Sequence, residues 1–311
     1  MVTVSTALAD FLLACRADGL RPGTVRWYKS LLSVFAGKFG DRQLAAITVR
    51  DMRNYLADLQ ARPDRYLDAR YHPPQLGALS VETVRGHVRA LRRLWAWAIV
   101  EYEFDPTCNP MKAIRTPRKQ QAIPKAIALD DLRALLLAAP DTIAGRRDKA
   151  MVAFLADTGC RAAGMLSLRL PDLDTDAGRA TIREKGERSR IVAFTPYTAS
   201  VIEAWLRVRP QAALTVFCGL SSAAHGRELS LSGLHLIIKR LKKLAGVTGR
   251  ANPHSFRHGF ARQWLRNKGD MGTLARIMGH ADPATTLRSY AVFSDEEALQ
   301  VHGQFSPMKD F

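Results

Sequence analysis

The chain has 311 residues, of which 47% are hydrophobic and 24% are charged, a composition typical of a globular protein with enough length for two domains. Lysine and arginine number 46 against 29 aspartate and glutamate, and the resulting net charge of +17 indicates a polyanionic partner, either nucleic acid or an anionic membrane surface. No apolar run is long enough to span a bilayer and no signal-peptide pattern is present, so we expect a cytoplasmic protein that binds nucleic acid rather than a membrane.

The first hundred residues show the spacing of amphipathic helices. Apolar side chains recur every three or four residues on both sides of a break at Pro22-Gly23, which predicts two helices. Thr48 followed by Asp51 is typical of a capping box at the start of a third helix. These patterns predict a helical domain over residues 1–103.

A longer helix is predicted to start at Ser80, after a stretch at 62–77 whose Pro, Asp and Tyr content indicates a loop. Its apolar residues share one face, and four arginines lie mostly on another. Such a stripe is commonly a solvated surface, but it can also lie against phosphates, where each contact adds salt-dependent affinity. The basic charge of the chain and the lack of an acidic residue within the stripe favour the second interpretation. The candidate DNA-binding residues are Arg85, Arg89, Arg92 and Arg93.

Residues 104–127 combine several X-Pro pairs with several lysines and arginines. Each X-Pro pair disfavours helix, so the pattern predicts an extended linker. The linker could lie along a polyanion or be an ordinary surface connection, and the sequence favours neither.

The chain becomes mixed from residue 128 onward. Apolar spacing predicts a helix that ends at Gly159, and strands are predicted at 180–182 and 190–194 around a hairpin turn that contains Lys185. Further helices follow. The predicted fold class is therefore mainly α with a small β-sheet or hairpin.

Attack on a phosphodiester builds negative charge that metal ions or fixed cationic donors can stabilise. The sequence shows no clear carboxylate cluster for a metal, although distant residues could assemble one, and its four cysteines form no CxxC pair. It does offer arginines, whose planar guanidinium matches two phosphate oxygens. Most arginines in so basic a chain are surface residues. Arg161 follows the predicted turn at Thr158-Gly159, however, and Arg257 lies three residues after His254, on the same face if the segment is helical. We predict that Arg161 and Arg257 form a phosphate clamp and that no metal or cofactor takes part.

Further side chains complete a candidate site. A single histidine is more commonly structural, but His254 and His280 could bind the phosphate or handle the proton of a nucleophile, and His258 could support them. Lys185 is either a solvated turn residue or, if the hairpin folds over the substrate, a donor to the departing 5′ oxygen. Tyr290 is either a core residue or a nucleophile that forms a covalent phosphotyrosine.

In combination and in order, these residues resemble the tyrosine recombinase (phage integrase) family in its Xer-like two-domain form. The catalytic set of that family runs Arg, Lys, His-x-x-Arg, His or Trp, and Tyr along one C-terminal domain. The surrounding motifs match as well, with Thr-Gly-x-Arg at 158–161, His-Ser-Phe-Arg-His at 254–258, Met-Gly-His at 278–280 and Thr-Thr at 285–286. The matching catalytic positions are Arg161, Lys185, His254, Arg257, His280 and Tyr290.

The resemblance implies a helical core-binding domain over 1–103, a linker at 104–127, and a mixed, mostly α catalytic domain over 128–311. It implies that Tyr290 cleaves one strand of each DNA partner at a time through a 3′-phosphotyrosyl link, with Lys185 as the general acid. Strand exchange would pass through a Holliday junction, without ATP or metal. The implied partner is double-stranded DNA, bound by a homotetramer or by a heterotetramer with a related recombinase.

Two positions depart from the family pattern. Gly164 stands where many members have an acidic residue three positions after the first arginine, so whatever orients Arg161 must come from elsewhere. Val292 stands where many members have a histidine two residues after the tyrosine. Residues 293–311 could dock on a neighbouring protomer or form a short terminal helix and tail.

Two other functions use the same scaffold. A type IB topoisomerase shares the chemistry but reseals the same strand, and the compact helical N-terminal part favours a recombinase instead. A non-catalytic DNA-binding regulator is disfavoured because none of the six catalytic positions is replaced. Chromosome-dimer resolution, mobile-element integration and transposition all remain open as biological roles.

Overall fold

The computed structural model describes residues 1–65, 75–118, 126–183 and 189–279. The chain divides into two compact units, Met1–Gln121 and Ala122–Phe311. The N-terminal unit is built from α1 (Val4–Ala17), α2 (Pro22–Phe39), α3 (Val49–Ala61) and α4 (Val81–Glu101). The helical fold predicted for this part of the chain is thus confirmed.

The helix starts of this unit follow from their capping residues. The Thr48 side chain accepts from the backbone N–H of Asp51 at 3.2 Å, and the Asp51 carboxylate accepts from the Thr48 N–H at 2.9 Å. This is the reciprocal capping box that the sequence predicts. Ser80 caps α4 by accepting from the Thr83 N–H at 3.1 Å.

The core of the N-terminal unit forms where the apolar faces of the helices meet. The Phe35 ring of α2 lies edge-on to the Tyr55 ring of α3 at 5.3 Å and to the Trp95 ring of α4 at 6.1 Å. Edge-to-face contacts at these distances stabilise a core beyond the burial of area alone. One aromatic side chain therefore joins three helices.

The two segments predicted as irregular differ from expectation in the part that the structure describes. At the ends of the 62–77 stretch, β1 (Asp64–Arg65) pairs antiparallel with β2 (Gln75–Leu76). In the predicted linker, residues 106–113 form two short 3-10 turns, each with a proline in its first positions. Met111 and Ile114 are buried in the N-terminal core. The prediction of an extended connector is therefore wrong for this stretch, because its apolar residues pack on α3 and α4.

A histidine and a tyrosine form a buried polar pair in this core. The Tyr55 hydroxyl lies 3.1 Å from Nδ1 of His87, so the hydroxyl can donate to a neutral imidazole. Burial lowers the pKa of His87 to about 4, and the positive charge of Arg62 acts in the same direction. The folded protein therefore holds His87 uncharged well below the ordinary pKa of histidine.

Because of this pair, the free energy of unfolding changes with pH in the mildly acidic range. The unfolded chain binds a proton on His87 near pH 6.5, whereas the folded chain does so only near pH 4. Stability should therefore fall as the pH drops from about 6.5 to 4, by roughly 3 kcal/mol at most from this group. We expect wild type to show this loss in denaturant unfolding and His87→Gln to show less of it. His225→Gln, at an exposed position, is the control, and equal pH dependence for wild type and His87→Gln would contradict the assignment.

The C-terminal unit surrounds a central helix. Its helices are α5 (Leu129–Leu137), α6 (Ile143–Thr158), α7 (Ala162–Leu166), α8 (Pro196–Leu206), α9 (Leu231–Leu244), α10 (Pro253–Arg266) and α11 (Met271–Met278). The α6 helix is buried along most of its length and packs against α5, α8, α9 and α10. No helix in the described ranges is long and apolar enough to cross a lipid bilayer.

A small antiparallel sheet lies on this helical core, in the order β3 (Leu173–Asp174), β4 (Arg179–Arg183) and β5 (Ser189–Ala193). The two longer strands are those that the sequence predicts, and Thr181 pairs with Ile191 in their register. The two-residue strand β3 is too short to show alternation and was not predicted. The turn between β4 and β5, with Lys185, lies outside the described residues.

A buried ionic group fixes the start of α6. Asp148 is completely buried, and its Oδ1 accepts from Nε and Nη2 of Arg147 at 2.9 and 2.7 Å. Nη1 of Arg147 donates to the Cys218 carbonyl at 3.1 Å, and Arg240 of α9 contacts Oδ2 of Asp148. The ionic group therefore joins α6 to α9 and to the chain at Cys218.

Candidate active site

The segment before Arg161 is shaped by a glycine at the end of α6. Gly159 has φ of +58°, and a Cβ at this position would lie 2.6 Å from the Phe260 ring. Glycine is therefore required both by the backbone conformation and by the contact with α10. The turn is closed by Thr158, whose hydroxyl accepts from the Cys160 N–H at 3.2 Å. Arg161 follows in an extended conformation as the residue that precedes α7.

The His-x-x-Arg segment forms the first turn of α10. The Asn252 side chain accepts from the Ser255 N–H at 2.9 Å, and the Ser255 hydroxyl oxygen accepts from the Asn252 N–H at 2.9 Å. With Pro253 at the start, this arrangement fixes where the helix begins. The helical conformation expected of the segment is present, so His254 and Arg257 lie one turn apart on the same side of α10.

Arg257 is held by the ends of two helices. Its side chain is buried, with only 5% of the residue exposed. Nη1 donates to the Gly159 carbonyl at 2.7 Å and Nη2 donates to the Met278 carbonyl at 2.5 Å. The carbonyls at a helix C-terminus lack partners within the helix and carry the negative end of its dipole, so they stabilise a guanidinium.

Arg161 is anchored beside the same helix end. Its guanidinium nitrogens Nη1 and Nη2 lie 3.5 and 3.4 Å from the Gly279 carbonyl oxygen, which makes these hydrogen bonds long. Gly279 ends α11 in the left-handed conformation, with φ of +63°. Unlike Arg257, Arg161 is exposed, so its guanidinium is accessible to a ligand. The structure thus brings the two predicted clamp arginines to one helix end.

Two of the candidate histidines, His254 and His258, adjoin this cationic group. Partial burial lowers the pKa of His254, and the positive charges of Arg257, Arg250 and Arg161 lower it further. Burial also lowers the pKa of His258, followed by the effects of His254 and Arg257. Both imidazoles are therefore neutral at pH 7 and can each donate one hydrogen bond and accept another.

The residue that stands in place of the missing acidic side chain packs against the sheet. Gly164 lies in α7 against β4, where a Cβ would be 3.4 Å from the Arg183 carbonyl oxygen and from the Ile182 side chain. A longer acidic side chain would meet the sheet at this point. Arg161 instead donates to the Gly279 carbonyl, so a main-chain oxygen supplies part of its orientation.

The remaining predicted site residues lie outside the part of the chain that the structure describes: Lys185, His280 and Tyr290. Residues 293–311 lie outside it as well. Lys185 precedes the first residue of β5 by four positions, and His280 directly follows the residue that caps α11. Their roles stay predictions from the sequence.

The arginine stripe of α4 divides into two kinds of residue. Nη2 of Arg92 donates to the Ile114 carbonyl at 2.6 Å and its Nη1 donates to the Thr116 hydroxyl at 2.9 Å. Arg85 also donates to this segment, at the Pro117 carbonyl, at 2.5 Å. These two arginines hold residues 114–117 against α4, so the structure gives them an intramolecular role that the sequence did not predict.

The other two arginines of the stripe, Arg89 and Arg93, are exposed. Nη2 of Arg89 lies 3.3 Å from the Glu82 carboxylate, and its guanidinium lies 5.8 Å from the centre of the Trp27 ring. Glu82 also pairs with Arg85 at 3.4 Å. Glu82 precedes the stripe in sequence but reaches it in space, because positions three and seven residues apart share a helix face. Arg93 is exposed, and DNA contact by Arg89 and Arg93 stays a prediction.

One residue near the site was missed by sequence reasoning. Arg190 in β5 donates to the Ile277 carbonyl in the last turn of α11. A lone arginine in a short strand carries no signal that would have found it. Among the residues that the structure describes, no group of three or more His, Cys, Asp or Glu side chains is placed to hold a metal ion.

Arg161 and the His-x-x-Arg turn that carries Arg257 thus meet at one helix end of a mostly helical core, beside a small antiparallel sheet. This arrangement fits a tyrosine recombinase. Residues 125–297, more than half of the chain, match the model of the phage integrase family. The chain therefore belongs to the phage integrase family.

Similar proteins agree with this assignment. The chain is 30% identical over 234 residues to tyrosine recombinase XerD of Listeria monocytogenes serotype 4b (strain F2365), covering 73% of this chain and 77% of the relative. It is 24% identical over 290 residues to tyrosine recombinase XerC of Psychromonas ingrahamii (strain DSM 17664 / CCUG 51855 / 37), covering 93% of this chain and 92% of that one.

Solved structures share the fold at lower identity. The Tn1549 transposon integrase in complex with a circular intermediate DNA matches with a TM-score of 0.74 and 16% identity, covering 98% of this chain and 100% of that chain. XerH site-specific recombinase bound to palindromic difH substrate matches with a TM-score of 0.69 and 20% identity, covering 92% and 80%.

Proposed function

We propose that this recombinase cleaves and rejoins double-stranded DNA through a phosphotyrosyl intermediate on Tyr290. The observation that carries the proposal is the anchoring of Arg161 and Arg257 at the end of α11, beside the neutral imidazole of His254. Two fixed guanidiniums and a hydrogen-bond donor suit the non-bridging oxygens of a phosphodiester, on which charge builds during attack.

Each step of the reaction exchanges one phosphoester bond for another, so the number of such bonds is conserved. The Tyr290 oxygen attacks the scissile phosphorus, the bond from phosphorus to the 5′ oxygen breaks, and a 3′-phosphotyrosyl link forms. The leaving 5′ oxygen takes a proton from Lys185, while the phenol passes its own proton to a neutral imidazole of the site. The arginines with His254 and His280 stabilise the transition state. The 5′ hydroxyl of the partner strand then attacks the phosphotyrosine, and two such rounds pass through a Holliday junction.

The division of the chain fits binding on DNA. Residues 1–103, with residues 106–114 packed on their core, would form a DNA-binding domain. The rest of 104–127 would be the connection, and 128–311 the catalytic domain. The net charge of +17 and the exposed Arg89 and Arg93 support a polyanionic partner. We propose that the protein meets this partner in the cytoplasm. A solved structure of similar fold is a lambda integrase dimer bound to a COC′ core site. We infer that this chain also multimerises on DNA, as a homotetramer or as a heterotetramer with a related recombinase.

The test is to trap the covalent intermediate. Wild type, Tyr290→Phe and Tyr197→Phe are incubated with labelled duplex from the flanks of their own gene, including nicked suicide substrates, and denatured in SDS. Tyr197 is an exposed tyrosine of the same unit and serves as the matched control. We expect an adduct with wild type and Tyr197→Phe and none with Tyr290→Phe.

Other outcomes would redirect the proposal. An adduct that persists in Tyr290→Phe would remove Tyr290 as the nucleophile. Binding without an adduct on any substrate would support a non-catalytic regulator, and relaxation of supercoiled DNA without strand exchange would support a type IB topoisomerase. The relatives of this chain are tyrosine recombinases, which favours neither the regulator nor the topoisomerase.

A further inference from the structure

Three arginines from three different elements meet at the last turn of α11. Arg190 of β5 donates to the Ile277 carbonyl, Arg257 of α10 to the Met278 carbonyl, and Arg161 before α7 to the Gly279 carbonyl. These are consecutive carbonyls at the C-terminus of one helix, where the backbone acceptors lack helical partners and the dipole is negative. Arg161 and Arg257 form the proposed phosphate clamp, and Arg190 is not part of it.

The environment of Arg190 places it between the sheet and the clamp. In the strand register it pairs with Ile182 of β4, whose side chain lies against Gly164 in the helix that follows Arg161. The charges of Arg190 and Arg257 also act on the same buried thiol. Burial raises the pKa of Cys160, and both guanidiniums act in the opposite direction. Because Arg190 and Arg257 donate to the adjacent carbonyls of Ile277 and Met278, Arg190 connects β5 to the helix end that also holds Arg257.

The carbonyls that accept from Arg190, Arg257 and Arg161 belong to adjacent peptide units. Consecutive Cα atoms are about 3.8 Å apart across a rigid peptide, so fixing the Ile277 carbonyl restricts the next two. A displacement of this turn would move both clamp arginines together. Misplacement of catalytic groups by about 1 Å can cost roughly 10²-fold in rate.

We propose that Arg190 is a positioning residue: by fixing the last turn of α11 to β5, it sets Arg161 and Arg257 for the scissile phosphate. The inference rests on the proposed function, because it assumes that the two arginines neutralise charge on that phosphate. Arg190 acts through the helix end and does not itself contact the DNA.

The experiment compares a charged with a neutral scissile phosphate. Full-length Arg190→Met and Arg190→Lys are assayed on a nicked duplex that contains the recombination site, with either a phosphodiester or a methylphosphonate at the cleavage position. A methylphosphonate lacks the negative charge that the arginines neutralise, so its cleavage depends less on their alignment. Arg257→Lys is the reference variant. Arg179→Met, at an exposed arginine of β4 that pairs with Asp174, is the matched control.

We expect Arg190→Met to lose roughly 10–100-fold in phosphodiester cleavage but less than about 3-fold in methylphosphonate cleavage. Arg257→Lys should show the same selectivity, and Arg179→Met should match wild type on both substrates. Arg190→Lys keeps the charge and can still donate to the Ile277 carbonyl, so it should recover part of the rate. It carries the comparison if Arg190→Met does not fold.

Two outcomes would overturn the inference. In the first, Arg257→Lys loses cleavage only on the phosphodiester, while the Arg190 variants lose it equally on both substrates. This result would assign Arg190 to fold stability and leave the proposed function intact. Equal losses for Arg257→Lys as well would instead overturn charge neutralisation by the clamp, and the role of Arg190 with it.

Discussion

Replacement of Arg257 by lysine is expected to lower the rate of strand cleavage by roughly 10²–10³-fold. The guanidinium contacts the carbonyls of Gly159 and Met278 through two different nitrogens, and its planar fork also suits a phosphate. A lysine has a single ammonium group, which cannot span two carbonyls and keep the same orientation. The buried carbonyl that loses its partner should cost about 1–3 kcal/mol of stability.

Single-turnover cleavage on a suicide substrate and a thermal melt measure these two effects separately. Arg266→Lys changes an exposed arginine at the last turn of the same helix and is expected to leave the rate within a few-fold of wild type. If Arg257→Lys cleaved DNA within about 10-fold of wild type, the fork geometry would not matter and Arg257 would lose its assigned role.

Asp148→Asn is expected to destabilise the protein by about 3–5 kcal/mol. The substitution keeps the size of the side chain but removes a charge that is completely buried. Arg147, only 5% exposed, then keeps its positive charge without the carboxylate that accepts two of its hydrogen bonds. Urea unfolding of the full-length protein measures the loss.

Two further variants separate the buried pair from its exposed partner. The Arg240 side chain is 53% exposed, so Arg240→Ala should cost only about 1 kcal/mol or less. The double replacement Arg147→Met with Asp148→Leu removes both buried charges and should be less harmful than Asp148→Asn alone. If the double variant were less stable than Asp148→Asn, packing and not an uncompensated charge would explain the loss of stability.

Local sequence patterns predicted the helices and their starts well, because the forces that set them act within one or two turns. Three features follow from residues close in sequence: the capping box of Thr48 and Asp51, the glycine that ends α6, and the buried face of α4 with Val84, Val88 and Leu91. The helix that carries His254 and Arg257 depends on the same kind of local signal.

Features that depend on distant residues were not predictable in this way. Prolines favoured an extended connector at 104–127, yet burial of Met111 and Ile114 decided the conformation of residues 106–114. The residue type of Arg257 identified it as a candidate, but its partners are main-chain carbonyls, which every residue has. Arg190 resembles any strand arginine until the position of α11 is known.

The contacts that hold the two clamp arginines also decide when the site can exist during synthesis of the chain. Arg257 and Gly159 are 98 residues apart in sequence, and Arg161 and Gly279 are 118 apart. A nascent chain that has reached residue 258 contains both arginines but not the carbonyls of Met278 and Gly279. Translation proceeds from the N-terminus, and long loops must close before such contacts form. The anchor of the clamp can therefore form only after the ribosome has synthesised the chain at least as far as Gly279.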